Sequence, residues 1–205
     1  MELRRVVVTG IGTINPIGNN IEEYFRNLEL GVSGAAPITN FDASNFKVRF
    51  ACEVKNYDWS RYFDRKEVRK YDRFAQFALV AAAEAVADAA LGDDVNRRRC
   101  GVVWSSGVGG IETYFQECMD YAKGGELPRF SPFFVPRMIA DLAAGHIAMK
   151  YGFMGPNYSV TSACASSNHA IIDAINLIRL GKAEVIVTGG AEAPIIQAGV
   201  GGFSS

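Results

Sequence analysis

Cys164 stands in the run Val160-Thr161-Ser162-Ala163-Cys164-Ala165-Ser166-Ser167-Asn168, between a short apolar stretch and small polar residues that suit the start of a helix. A thiol at such a junction has a specific chemistry open to it. The unpaired N–H groups and positive dipole end of a helix favour thiolate over thiol, and the same N–H groups can hydrogen-bond the oxyanion formed when sulfur attacks a carbonyl. The position therefore suits acyl transfer through a thioester. The plainer alternative is a small core residue at a tight turn, since free cysteines most often serve as buried apolar side chains. Residue types alone leave both readings open.

A base for the nucleophile is hard to find, because the chain has two histidines. His169 lies five residues along the expected helix, about 140° around its axis at 3.6 residues per turn, so it points away from Cys164 and reads as structural. His146 shares an apolar face with Ile139, Leu142, Ala143 and Ile147 and reads as a hydrogen-bonded core histidine. The glycine loops do not supply a cofactor site. Gly10 and Gly12 follow an apolar run, but Asn15 stands where a dinucleotide fingerprint needs its third small residue, and Glu112 does the same to the loop at Gly107. With no phosphate-binding loop and no metal-ligand cluster, neither cofactor nor metal is expected. The glycines read as close backbone packing against neighbouring elements or substrate.

The elements that must position Cys164 alternate between strand-length apolar runs and amphipathic helical segments, a pattern of the α/β class. Strands are expected at Leu3 to Thr9, around Val48 to Val54, at Cys100 to Ser105, at Asn157 to Thr161 and at Glu184 to Thr188. Helices are expected from Asn20, with Glu23 completing a capping box, to Leu30; from Tyr71 to Leu91; from Ile111 to Ala122; from Pro136 to Tyr151; and from Ser166 to Leu180. Glycines 31, 92, 152 and 181 are the expected helix stops. Lys66, Arg69, Lys70 and Arg73 fall at i, i+3, i+4 and i+7, so one helix here would carry a basic stripe, either a solvated face or a docking patch for an acidic protein. Arg97, Arg98 and Arg99 read as an exposed connector.

Composition bounds the rest. A 205-residue chain with 49% hydrophobic residues can bury about 70% of its unfolded surface. Its 21 Lys+Arg against 22 Asp+Glu argue against a polyanion such as nucleic acid as the main partner. Cys52, Cys100, Cys118 and Cys164 form no CxxC pair and read as reduced thiols of a cytoplasmic protein. No signal peptide and no apolar window long enough to span a bilayer is present, so stable membrane association is not expected. There is no repeat or linker, which makes residues 1–205 one domain or part of one. The closing GVGGFSS follows a strand and a glycine-rich loop with no further element expected, as if the chain were cut short.

The segments VVVTGIGTINPIGNN, GVSGAAPITNFDASNF, SPFFVPRMIADLAAGHIAMKYGFMGPNYSVTSACASSNHAI and VIVTGGAEAPIIQAGVGGFSS together closely resemble the condensing enzymes of fatty-acid synthesis of the β-ketoacyl-acyl-carrier-protein synthase II type. The resemblance implies a thiolase-like fold with layered αβαβα architecture, of which this chain covers the first half and the start of the second, and a cytoplasmic homodimer. By that likeness Cys164 takes an acyl chain from acyl carrier protein, and its own N–H forms part of an oxyanion hole. A malonyl group on a second carrier protein is then decarboxylated and condenses with the bound acyl group. The resemblance places the acyl pocket at Val108, Ala163 and Phe203, with Phe134 reaching across the dimer. Val108 is smaller than the isoleucine common there.

Carrier docking falls on Lys66, Arg69 and Lys70, with Arg129 a weaker match. No bound cofactor is implied, since substrates ride on the phosphopantetheine arm of the carrier. Two histidines and a lysine of the reaction belong to the half not present, which accounts for the missing base and makes the isolated chain inactive by expectation. Three alternatives stand beside this reading: a polyketide-type ketosynthase, a non-catalytic chain-length subunit that the presence of Cys164 argues against, and a fragment that only binds carrier protein or dimerises.

Overall fold

A computed structural model describes residues 3–205. Helix α1 (Ile21–Glu29) is followed by a two-residue strand pair, β1 (Ala36–Pro37) with β2 (Phe50–Ala51), antiparallel, and by α2 (Arg73–Asp88). Then come β3 (Cys100–Ser105), α3 (Ile111–Lys123), α4 (Phe134–Met138), α5 (Leu142–Tyr151), β4 (Asn157–Tyr158), α6 (Ser166–Arg179), β5 (Val185–Gly190) and α7 (Gln197–Phe203). Strands β4, β3 and β5 form a parallel sheet in that order, with β3 at its centre in register from Cys100 opposite Val185 to Ser105 opposite Gly190.

Every residue of β3 is buried, which a strand achieves only when both sheet faces are covered. Its side chains divide by the period of two. Cys100, Val102 and Trp104 join Phe74, Ala78, Ala144 and Ile147 in one core, so α2 and α5 cover that face. Val103 faces the other way, towards α6, whose buried Ala170 and Ala174 sit one turn apart. The fold is α/β, with helices on both sides of one parallel sheet.

Several expectations need correction. Residues 3–9 form no strand, and Val7 and Val8 are 57% and 81% exposed. A valine run favours a strand only if a partner supplies a ladder. Here the segment is held on α2 instead: Asp88 accepts from Ile11 N–H at 2.9 Å, Glu84 accepts from Thr13 N–H at 2.8 Å, and a Cβ at Gly10 or Gly12 would lie 2.1 Å from the Ala85 or Ala81 carbonyl. A groove of about 440 Å³ separates it from β5, whose outer edge is unpaired among the described residues. The close packing expected of Gly10 and Gly12 is thus present, against a helix.

Helix α2 begins after Asp72, not at Tyr71, and turns out of helical geometry at Ala90, φ +46°, before Gly92 is reached. The expected helix from Pro136 to Tyr151 is broken at Ile139, which is extended, because the Met138 carbonyl accepts from Gly110 N–H at 3.0 Å. The strands expected around 48–54 and at 157–161 shrink to two residues each. Arg97, Arg98 and Arg99 form a 3-10 turn that is tied down rather than free: Arg97 donates to the Tyr151 carbonyl, and Arg99 bonds Gly181 O at 2.7 Å and Glu184 at 3.3 Å. The closing residues form α7 rather than ending without an element.

Candidate active site

Because β3, β4 and β5 run parallel, their carboxyl ends deliver three loops to one edge of the sheet, where open α/β folds bind their ligands. A cleft of about 320 Å³ lies there, and Val108, Ala163, Cys164, Ser167, Glu192 and Phe203 are among its walls. Cys164 is exposed within it, in a 3-10 turn of Ala163–Ala165 that runs straight into α6. The reading of Cys164 as a buried core residue is therefore excluded. Buried Cys100 fills that role, and its burial pushes the thiol above the usual range.

The turn is sharp and strained. Ala163 holds φ +50°, a left-handed conformation that costs an L-residue roughly 1–2 kcal/mol. Ser166, itself buried, locks it: the hydroxyl donates to the Ala163 carbonyl at 2.6 Å and accepts from Ser162 N–H at 2.8 Å. His169 Nδ1 lies 2.6 Å from Ser162 Oγ, so this histidine braces the turn and does not face the thiol, as its helical offset requires. The 3-10 bonds, Ala165 N–H to Ser162 and Ser166 N–H to Ala163, leave the Cys164 N–H without a partner inside the turn. No other acceptor among the described residues takes that donor, an arrangement able to meet an oxyanion.

The opposite wall is the 106–110 loop, and a residue overlooked in the sequence holds it. Glu192 Oε2 accepts from Gly107 N–H at 2.6 Å and Val108 N–H at 3.1 Å, while Oε1 accepts from Ser106 Oγ at 3.0 Å. Ser106 Oγ in turn accepts from Gly109 N–H at 2.8 Å. The available signal was an acidic residue two positions past Gly190, at the carboxyl end of a buried strand.

Of the residues named from sequence, the cleft brings together Val108, Ala163, Cys164 and Phe203. Phe134 is not part of it; on α4 its ring stacks between Tyr114, at 6.2 Å, and Phe130, at 5.5 Å. Neither histidine lines the cleft. His146 packs edge-on against Tyr71 at 4.7 Å, and no hydrogen bond to it is formed among the described residues, contrary to expectation. Burial, with the Lys70 charge, holds its pKa below the ordinary histidine value.

The basic stripe does not form on one helix. Lys66 sits in a turn, Arg69 and Lys70 in a 3-10 turn, and Arg73 opens α2, where it pairs with Glu112 at 3.2 Å. Buried Asp72 breaks the run because its carboxylate caps α2 at Phe74 N–H and also accepts from Thr113 N–H and Oγ1, at 2.9 and 2.6 Å. Lys66, Arg69 and Lys70 remain exposed on consecutive turns, and Arg129 is exposed on the separate α3–α4 connector.

Parallel sheet, strained cysteine turn and adjoining cleft define a class: the fold is that of the thiolase-like ketosynthases. The chain belongs to the family described as Beta-ketoacyl synthase, N-terminal domain, matched over residues 3–205. It is 42% identical to 3-oxoacyl-[acyl-carrier-protein] synthase 2 of Staphylococcus aureus (strain COL), covering 98% of this chain and 49% of that protein. The Synechocystis protein of the same name is also 42% identical, over 100% of this chain and 49% of its own length. Among solved structures, the ishigamide ketosynthase/chain length factor superposes with a TM-score of 0.90 at 31% identity, covering 98% of this chain and 50% of that one. The chain spans about half the length of the curated relatives it matches.

Proposed function

We propose that this chain is the nucleophile-bearing part of a β-ketoacyl-acyl-carrier-protein synthase of fatty-acid elongation, with Cys164 as the acyl acceptor. The observation that carries the reading is an exposed thiol on a strained turn at the start of α6, opening into the cleft walled by Val108, Ala163 and Phe203. The thiolate attacks the thioester carbonyl of an acyl-carrier protein, and the oxyanion develops beside the Cys164 N–H. Collapse expels the carrier's pantetheine thiolate, which takes up a proton, and leaves the acyl group on sulfur. A malonyl group on a second carrier then loses carbon dioxide, and the resulting enolate carbon attacks the Cys164 thioester. The cysteine leaves as thiolate, and a β-ketoacyl-carrier longer by two carbons departs. Two histidines and a lysine that polarise the malonyl carbonyl belong, on this reading, to the remainder of a longer protein, and no resident cofactor takes part.

Exposed Lys66, Arg69 and Lys70 suit an acidic carrier protein, with Arg129 a more distant contact. The stacked rings of Tyr114, Phe134, Phe130 and Tyr121, flanked by exposed Phe133 and Val135, suit burial against a second copy, which would bring Phe134 to the partner's acyl cleft. None of the described helices is long and apolar enough to cross a membrane, which fits a cytoplasmic enzyme.

In the complete protein, Cys164→Ala should abolish the acyl-enzyme adduct seen by intact mass spectrometry after mixing with acyl-carrier thioester. An adduct of undiminished yield would remove the proposal. The second reading is a polyketide-type ketosynthase, and acceptance of β-ketoacyl carriers in preference to saturated ones would select it.

A further inference from the structure

Glu192 contributes an acidic group to the wall of a cleft that, on the reading above, must receive an apolar acyl chain. Its two oxygens are nonetheless occupied by protein donors: Ser106 Oγ on Oε1, and the N–H groups of Gly107 and Val108 on Oε2. Three consecutive residues of one loop thus converge on one carboxylate from another loop, the one leaving β5. The Ser106 hydroxyl passes the constraint on to Gly109, φ +73°. The fit is tight, since a Cβ on Gly107 would stand 2.9 Å from Glu192 Oε2 and 3.4 Å from the Ala163 carbonyl. The loop is therefore clamped between Glu192 and the residue preceding Cys164. Its middle residue, Val108, lines the same cleft as Cys164 and Phe203.

We propose that Glu192 is a positioning residue that sets, through the backbone of Gly107 and Val108, how far the Val108 side chain projects into the cleft, and thereby which acyl chain lengths Cys164 accepts. The proposal rests on the ketosynthase reading and deepens it. A carboxylate accepts from several N–H groups at once, whereas glutamine offers one acceptor oxygen and turns an NH₂ towards donors. Glu192→Gln preserves volume but removes the charge that strengthens all three bonds and reverses the one to Ser106, whose hydroxyl must then accept from the amide NH₂, so Val108 is held less firmly while the α6 turn, held by Ser166 and His169, stays in place.

The test uses the complete protein and measures acylation of Cys164 by intact mass with a short and a long acyl-carrier thioester, alongside alkylation by iodoacetamide, which needs no acyl pocket. Glu192→Gln should change the long-to-short acylation ratio by about tenfold, the effect of one charge-assisted hydrogen bond, with iodoacetamide reactivity within about twofold of the parent. Glu192→Asp should restore part of the ratio. In a Val108→Ala background the Glu192→Gln effect should vanish, because the residue acts through Val108. An unchanged ratio, or an equal effect with and without Val108, overturns the proposal. So does a uniform fall in acylation and alkylation, the mark of a merely structural role. A parent protein that takes no acyl group at all would refute the ketosynthase reading, a separate result.

Discussion

On the proposed reading, the backbone at Ala163 is itself part of the chemistry. A left-handed alanine is tolerated because Ser166 supplies two hydrogen bonds across the turn, and the result is a thiol thrust outward at a helix start. Ala163→Val places a β-branched side chain at a φ that only small residues accept, and should lower stability by about 1–3 kcal/mol in denaturant titration. The four cysteines provide a second check at this scale. Limited alkylation of the native protein at neutral pH should modify Cys164 fastest among exposed Cys52, Cys118 and Cys164, and leave Cys100 intact, as read by peptide mass spectrometry.

Among the elements, α2 is the organiser. Its amino end is capped by buried Asp72, which also holds the start of α3 through Thr113, and its outer surface receives the amino-terminal segment through Glu84, Asp88 and two glycines. Asp72→Ala removes a cap and strands two buried donors of Thr113, an expected loss of about 3 kcal/mol in unfolding free energy. Gly12→Ala forces a methyl against the Ala81 carbonyl, with an expected loss of about 1–3 kcal/mol that a fall in thermal midpoint would register. His146, on α5, contributes in a pH-dependent way. Its folded pKa lies below the unfolded value of about 6.5, so the unfolded chain binds the proton more readily. The contribution is complete above pH ~6.5 and is lost as pH falls through the folded value. Unfolding midpoints should show a slope on that acidic side that His146→Gln flattens.

For the molecule as a whole, large apolar side chains lie in the open: Val8 at 81%, Phe203 at 76%, Ile172 at 52%. Patches of this kind mark interfaces, and the proposed enzyme would cover them with the rest of a longer protein and a second copy. On the proposed reading the basic turns belong to the same scale, because they would draw in a carrier protein through a field. In the complete protein, Lys66→Glu with Lys70→Glu should raise KM for acyl-carrier protein about tenfold or more, with the effect shrinking at high salt and absent for a pantetheine thioester that lacks the carrier.

Cys164 before a helix, the α/β class, the buried strand at Cys100–Ser105 and the helix stops at Gly31, Gly152 and Gly181 were all legible in the residues, because each follows from local periodicity or from φ values glycine adopts cheaply. The valine run at 6–8, the basic spacing from Lys66 to Arg73 and the apolar stretch through Ile139 misled, since each local preference yielded to something distant. A missing ladder partner, a buried carboxylate at Asp72 and the claim of Gly110 on the Met138 carbonyl decided them. Glu192 escaped for the same reason: it is separated from Gly107 by 85 positions, and only the parallel pairing of β3 with β5 brings their loops together. Sequence determined where a thiol meets the start of a helix; the sheet decided what surrounds it, because hydrogen-bond partners far apart along a chain meet only through tertiary packing.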